Sequence, residues 1–289
     1  ISAVFLLALI WGALVFLIGL GGDFPLNDDW VQAKSAFTFA QTGSLQLLDY
    51  AGATMYTQIV LGGLALKIFG FSHVVLRVLV LVLALLGLWS LYYLLRARHV
   101  DQKKAVLMTL LLAVSPWFLH LSFTFMTDVP FLSFLLMAAA LFVKGYKDRS
   151  TRLMSLSGFF GIAAMLIRQN GALFFPAALI SLFFARKKQG VRSLFKTQML
   201  MSALAFGVYG FLGWHDLLPA QAGVHIMWGK ELISHIGEQF LFEKWYLGLL
   251  LLPLFGAMAF ARRRQHTTPA SILLLIVSVF GVLVYTKAH

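Results

Sequence analysis

The sequence predicts an all-α, polytopic integral membrane protein with about nine transmembrane helices. Of its 289 residues, 60% are hydrophobic and only 12% are charged. The mean hydropathy is +0.86, which is above the range of water-soluble domains. Apolar runs near twenty residues recur along the chain, and lipid offers backbone N–H and C=O groups no partner. Each run must therefore be a helix.

These runs divide the chain into spans and loops. We predict spans at about residues 1–21, 73–95, 105–123, 129–146, 153–167, 171–185, 198–215, 246–261 and 270–287. The runs at 153–167 and 171–185 are short for full crossings. The first run ends without a small-x-small cleavage pattern, which indicates an uncleaved anchor. We expect one transmembrane domain over 1–289, with an outer loop at 22–72, central helices at 73–197 and C-terminal helices at 198–289 that are compatible with truncation.

The basic residues fix the predicted orientation. Sixteen of the 23 Lys and Arg residues fall in four clusters, each separated from the next by two spans. The clusters are Arg96, Arg98, Lys103 and Lys104; Lys144, Lys147, Arg149 and Arg152; Arg186, Lys187, Lys188, Arg192 and Lys196; and Arg262, Arg263 and Arg264. Cytoplasmic loops collect such residues, so the net charge of +12 indicates topology and no nucleic-acid partner. Nine of the eleven carboxylates then face outward.

The first outer loop is predicted to contain two helices lying near the membrane plane. One is amphipathic and runs from Trp30 to Thr42, and the other is apolar and runs from Tyr56 to Phe69. Counting the second as a span would place the Arg96 cluster outside and invert every later loop. We therefore expect an interfacial or re-entrant helix there.

Three outward motifs are candidates for chemistry. The first is Asn27-Asp28-Asp29-Trp30, the second is Phe125-Met126-Thr127-Asp128-Val129-Pro130, and the third is Arg168-Gln169-Asn170-Gly171. The acids have an ordinary alternative as helix N-caps, and Arg168 has one in snorkelling to lipid headgroups. A carboxylate close to hydrocarbon is expensive without a partner or a task, and the fork of an Arg fits an acid or a phosphate.

Together these residues favour group transfer from a lipid-phosphate donor to an acceptor hydroxyl. A carboxylate acts as general base, and a cation stabilises the departing phosphate. Arg77, near the outer end of the second span, is a further candidate partner for the phosphate or an acid. Asp28, Asp29 and Asp128 are the candidate ligands of a divalent cation, Mg or Mn, if one is required.

At these motifs the sequence resembles the GT-C membrane glycosyltransferases, specifically the bacterial glycosyltransferase family 39 and RgtA/ArnT-like (PMT-like) group. The ordered matches are the Asp28-Asp29-Trp30 run, Phe69-Gly70-Phe71-Ser72 with Leu76-Arg77, Ser115-Pro116 with Phe125-Met126-Thr127-Asp128, and Arg168-Gln169. The resemblance covers about residues 1–185. It departs at Thr54-Met55-Tyr56-Thr57-Gln58, where paired prolines often open the second interfacial helix of this class, and the part after Lys196 matches no pattern.

What the resemblance implies is inverting transfer of a sugar from a polyprenyl-phosphate donor, at the outer face of a bacterial cytoplasmic membrane. The acceptor is a lipid, a glycan or a protein. The catalytic base would be Asp28 or Asp29, with Asp128 as the acid of the second outer loop. The chemistry of the residues, and not the resemblance, makes Arg168, Gln169 and Arg77 the candidates to meet the donor phosphate or the acids.

Other functions fit the sequence less well. A transporter or flippase of a lipid-linked sugar calls for charged residues at mid-depth and for paired repeats, and an assembly subunit does not need the outward acids. An intramembrane protease or acyltransferase has only Ser115 and His120 as candidates. Histidines at positions 215, 225 and 235 are too widely spaced for a compact metal motif, and the absence of cysteine excludes thiol chemistry.

Overall fold

A computed structural model describes residues 2–26, 28–48, 52–185 and 190–218, all within the first of two units of the chain, Ile1–Gly223. These residues form helices and no strand. The helices are α1 (Ala3–Ile18), α2 (Asp29–Thr42), α3 (Tyr56–Phe69), α4 (His73–Ala97), α5 (Gln102–Ala113), α6 (Pro116–Ser122), α7 (Asp128–Lys147), α8 (Thr151–Met165), a 3₁₀ helix (Gln169–Leu173), α9 (Phe174–Ala185) and α10 (Val191–Trp214). The predicted all-α membrane class is confirmed at this level.

Among the described helices, α4 and α7 are each long and apolar enough to cross a membrane. The predicted span at 105–123 is instead two helices, α5 and α6, bent by 64°. Pro116 lies in the first turn of α6, where a helix loses no hydrogen bond from the missing N–H. The proline ring also disfavours helical geometry at the preceding residue, so the helix breaks before it. If this bent pair is one span, the described part has three crossings, so the prediction of nine is not established. The predicted spans at 246–261 and 270–287 lie outside the described residues.

The helix directions are visible from a few contacts. The indole of Trp11 donates to the Leu81 carbonyl (3.1 Å), and that of Trp89 donates to the Val4 carbonyl (3.1 Å), so α1 and α4 run antiparallel. The ammonium of Lys147 donates to the Ala97 carbonyl (2.8 Å). That bond joins the C-terminal ends of α4 and α7, and Gly87 of α4 packs against Ser133 nearer the start of α7, so these two helices run parallel.

The segment between α1 and α4 begins and ends at one end of this helix pair. It contains α2 and α3, the two helices predicted to lie near the membrane plane. Both have 14 residues, or about 21 Å at 1.5 Å per residue, which is short of the hydrocarbon thickness. The two helices pack together where Gly63 lies against Phe39 and the Ala36 carbonyl, because a glycine lets the backbones approach closely.

Candidate active site

The loop after α1 is attached to the outer end of α4 through Arg77. This side chain is 1% exposed. Its guanidinium donates to the carbonyls of Leu20 (2.6 Å) and Gly22 (2.7 Å) and to that of Phe24. The backbone dihedral φ is +68° at Gly21, a conformation that glycine adopts without strain. Arg77 therefore orders the loop that leads into Asp28, and its role toward a donor phosphate stays a prediction.

Asp23 ties the same loop to the first turn of α4. Its carboxylate accepts hydrogen bonds from the Ser72 hydroxyl (3.0 Å) and from the backbone N–H of His73 (2.5 Å) and Val74 (3.3 Å). Desolvation opposes ionisation, but the bonds from Ser72, Val74 and His73 outweigh it and lower the pKa of the Asp23 carboxyl. An anion at a helix N-terminus is also favoured by the helix dipole.

Asp29 joins the first outer loop to the second. Its side chain is 1% exposed. One carboxylate oxygen accepts from the backbone N–H of Leu26 (2.7 Å), and the other accepts from that of Phe125 (3.0 Å). Gln58 donates from its side-chain amide to the carbonyl of the same Phe125 (2.6 Å). The Phe125 residue is thus held on both sides by polar groups of α2 and α3.

Asp28 differs from its neighbour. It is the residue before α2, its side chain makes no capping hydrogen bond, and it is exposed. Asp28 therefore occupies the N-cap position of α2, as the ordinary interpretation predicts, but its side chain does not cap the helix. Its carboxylate is accessible beside the loop that Asp29 anchors.

Asp128 and Arg168 form an ion pair. The Arg168 Nη1 lies 3.0 Å from the Asp128 Oδ1, and the two side chains are 36% and 35% exposed. The Nε of Arg168 donates to the Thr127 hydroxyl (2.8 Å). Asp128 lies in the first turn of α7 and Arg168 directly precedes the 3₁₀ helix, so the predicted pairing of these two residues is present in the structure.

The turn that carries Arg168 is fixed by the start of α3. The Met55 N–H donates to the Ile167 carbonyl (3.0 Å), and the Thr54 hydroxyl donates to the Met165 carbonyl (3.0 Å). Met55 has a φ of +54°, an unusual conformation for a residue with a side chain. These bonds satisfy the carbonyl of Met165 at the end of α8 and that of Ile167 two residues later, and they orient Arg168, which follows.

The other residues predicted for the site make fewer contacts with it. Gln169 is half-buried beside Arg168. Within the described ranges, no three His, Asp or Glu side chains gather as a metal-binding group, so Asp28, Asp29 and Asp128 do not form such a group and the divalent cation stays a prediction. His215 is exposed at the end of α10, and the later histidines at 225 and 235 lie outside the described residues.

Three further residues contribute to the site and were not predicted as site residues from the sequence. Thr127 lies beside Asp128 in the second motif, where its hydroxyl was a visible signal. Thr54 and Gln58 occupy the segment in which the resemblance breaks down. Their partners are 111 and 67 residues away in the chain, and only the folded structure reveals such long-range pairs.

Comparison with known proteins identifies the family. A comparison with curated proteins gives no match. The sequence model of the dolichyl-phosphate-mannose-protein mannosyltransferase family matches residues 60–214. The matched region contains Arg77, Asp128 and Arg168 and begins after Asp28 and Asp29. Because it spans more than half of the 289 residues, the chain belongs to the dolichyl-phosphate-mannose-protein mannosyltransferase family, a family of membrane glycosyltransferases, as the resemblance predicted.

Proposed function

We propose that this protein transfers a sugar from a polyprenyl-phosphate donor to an acceptor hydroxyl, at the outer face of a bacterial cytoplasmic membrane. The observation that carries the proposal is the cluster of Asp128, Arg168 and Thr127 at neighbouring ends of α7 and α8, within the region that matches the family. The family name specifies mannose and a protein acceptor for its members. For this chain we propose the wider classes: a sugar on a polyprenyl phosphate and a lipid, glycan or protein acceptor.

Asp28 is our candidate for the general base. An acceptor hydroxyl must reach the base and lose its proton to it, and the exposed carboxylate of Asp28 is open to such a group. Asp29 is 1% exposed, and both of its oxygens already accept backbone hydrogen bonds. We therefore assign Asp29 a positioning role, in which it holds the two outer loops together.

Arg168 is our candidate for the cation at the donor phosphate. Its Nε and Nη1 face Thr127 and Asp128, which fixes the plane of the guanidinium. A fork held in this way presents its remaining N–H groups in a defined direction. Asp128 and Thr127 then act on the phosphate only through Arg168.

The reaction balances with these groups alone. The acceptor oxygen forms a bond to the anomeric carbon of the sugar, and the bond from that carbon to the phosphate oxygen breaks. The acceptor proton passes to the Asp28 carboxylate, and the electron pair of the broken bond stays on the polyprenyl phosphate, facing Arg168. Preorganised charge at the leaving oxygen lowers the barrier.

The test is sugar transfer from a panel of radiolabelled polyprenyl-phosphate sugars, in sealed and oriented vesicles. We expect Asp28→Asn to lower kcat by roughly 10²- to 10⁴-fold, the usual contribution of a general base. Asp29→Asn and Asp128→Asn should reduce transfer as well, with Asp29→Asn also lowering thermal stability.

Arg168 is tested separately with Arg168→Lys, which keeps the charge and removes the fork. A loss of kcat with a normal melting temperature supports a role in transfer. Full activity of all three acid variants at matched expression contradicts the mechanism. It would favour the transporter or assembly alternatives.

A further inference from the structure

A groove lies between α4, α7 and α8, away from the outer acids. Its volume is about 400 Å³. The lining is mostly apolar and includes Leu86, Trp89, Met137, Leu141 and Phe160. Its polar members are Ser90, Tyr93 and Lys144.

The groove follows the C-terminal halves of the two crossing helices. It begins at Leu86 on α4 and Met137 on α7, and it reaches Tyr93 and Lys144 near the ends of these helices. Among the described helices, α4 and α7 are each long and apolar enough to cross a membrane. If they do, an opening between their C-terminal halves meets the hydrocarbon of one leaflet. Lipid chains are the solvent in that layer.

The groove lining ends at one cation, Lys144, and the Asp148 carboxylate interacts electrostatically with Tyr93 at the same end. Lys144 is exposed and lies one turn before the end of α7. Among the described residues its ammonium has no hydrogen bond or ion pair, whereas the neighbouring Lys147 donates to the Ala97 carbonyl. Both lysines suit a helix C-terminus, but only Lys144 lines the groove, together with the side chain of Tyr93.

We propose that this groove binds an acyl chain of an anionic phospholipid, with the lipid phosphate on Lys144. The leaflet is the one that borders the basic loops, predicted to be the cytoplasmic leaflet. The apolar groove that ends at the Lys144 ammonium complements a lipid with an apolar acyl chain and a negatively charged headgroup. The site lies at the opposite end of α7 from Asp128, and it does not depend on the proposed transfer reaction.

The experiment is lipid retention by the purified full chain, measured by native mass spectrometry with phosphatidylglycerol and with phosphatidylcholine. We expect phosphatidylglycerol to be retained at least several-fold better. Lys144→Gln should remove that preference, and Lys144→Arg should keep it. Lys103→Gln is the matched control, because Lys103 is an exposed lysine of another basic cluster, in the first turn of α5, and it does not line the groove.

Three results would overturn the proposal: equal retention of the two lipids, an unchanged preference in Lys144→Gln, or an equal loss in Lys103→Gln. The last would mean that the basic loops attract headgroups without a site.

A second variant tests the groove itself. The chain has no cysteine, so Ser90→Cys, at a half-buried position in the groove wall, introduces a single thiol.

This thiol should react with a bilayer-soluble maleimide, and added phosphatidylglycerol should slow the reaction. A thiol that stays unreactive in delipidated protein would show that another part of the chain, or another protein, fills the groove. That outcome also contradicts the lipid site.

Discussion

At the scale of single residues, Asp28 and Asp29 are adjacent in sequence and opposite in environment. The helical start of α2 turns Asp29 toward the second outer loop, where Phe125 donates to it, and leaves Asp28 at the exposed end. The pattern of two acids and an aromatic residue predicts that the site is here. It contains no signal for which acid is buried, because that depends on a partner 96 residues away.

Asp29→Asn should destabilise the protein. The Asn side chain has only one acceptor oxygen. The backbone N–H of Leu26 or that of Phe125 would therefore face the NH₂ group of the amide and lose its hydrogen bond. An unsatisfied buried donor costs about 1–3 kcal/mol. Thermal unfolding in detergent should therefore show a lower melting temperature for this variant.

The matched control is Asp28→Asn, which changes the same charge at an exposed position. Its free energy of unfolding should stay within about 0.5 kcal/mol of the native value. Equal melting temperatures for the two variants would argue against the loop-joining role of Asp29.

At the scale of elements, the two predicted interfacial helices were located from sequence with little error. The amphipathic stretch predicted from Trp30 to Thr42 is α2, Asp29–Thr42, and the apolar one from Tyr56 to Phe69 is α3. The positions of the basic clusters along the chain argued against α3 as a transmembrane span. The apolar composition of α3 alone would have allowed one. The break between α5 and α6 was missed because hydropathy is continuous across it, although Pro116 was a signal.

Packing between α2 and α3 gives a prediction for Gly63. A Cβ at this position would lie 2.4 Å from the Phe39 ring and 2.9 Å from the Ala36 carbonyl oxygen. Backbone cannot move aside as a side chain does, so Gly63→Ala should cost about 1–3 kcal/mol, as overpacking usually does. Thermal unfolding measures the loss.

Gly12→Ala provides the control for that measurement, because nothing lies within 4 Å of a Cβ at Gly12. In the interior of α1 this change should be neutral or stabilising, by up to roughly 1 kcal/mol. If Gly63→Ala unfolds at the native temperature, the close contact of α2 and α3 is not present in the membrane protein.

The junction of the outer loop with α4 gives a prediction for pH. The pKa of Asp23 is lowered from its ordinary value of 3.8, so the ionised form is the one that the fold binds. Its stabilisation is complete at pH values above 3.8 and is lost as the pH falls through the lowered pKa. Asp23→Asn lacks this titration.

The measurement is the difference in melting temperature between the native chain and Asp23→Asn, from pH 7 to pH 2. The difference should be constant in the upper part of this range and should shrink toward zero at its acid end. A difference that grows as the pH falls would show that the carboxylate destabilises the fold.

At the scale of the whole molecule, sequence and structure contribute different parts of the topology. Hydropathy and the basic clusters predict which ends are cytoplasmic, and nothing in the fold carries that information directly. The structure supplies the pairing: α1 is antiparallel to α4, and α4 is parallel to α7. If α4 and α7 both cross the membrane, the chain between them must cross back, which predicts that the bent α5–α6 pair is a single span.

The helix directions and the basic clusters together predict the side of the membrane on which each loop lies. Because the chain has no cysteine, Gln41→Cys and Lys103→Cys each carry a single thiol at an exposed position. In intact cells a membrane-impermeant maleimide should label Gln41→Cys, at the end of α2, and should label Lys103→Cys only after lysis.

Labelling of both positions in intact cells would show that α4 does not separate them and would remove the α4 crossing from the topology. The reverse pattern would keep the fold and invert the protein. The candidate base Asp28, which lies on the Gln41 side of α4, would then face the cytoplasm. Transfer would have to use a donor whose sugar is exposed on that side, so this one experiment also decides in which compartment the acceptor must be sought.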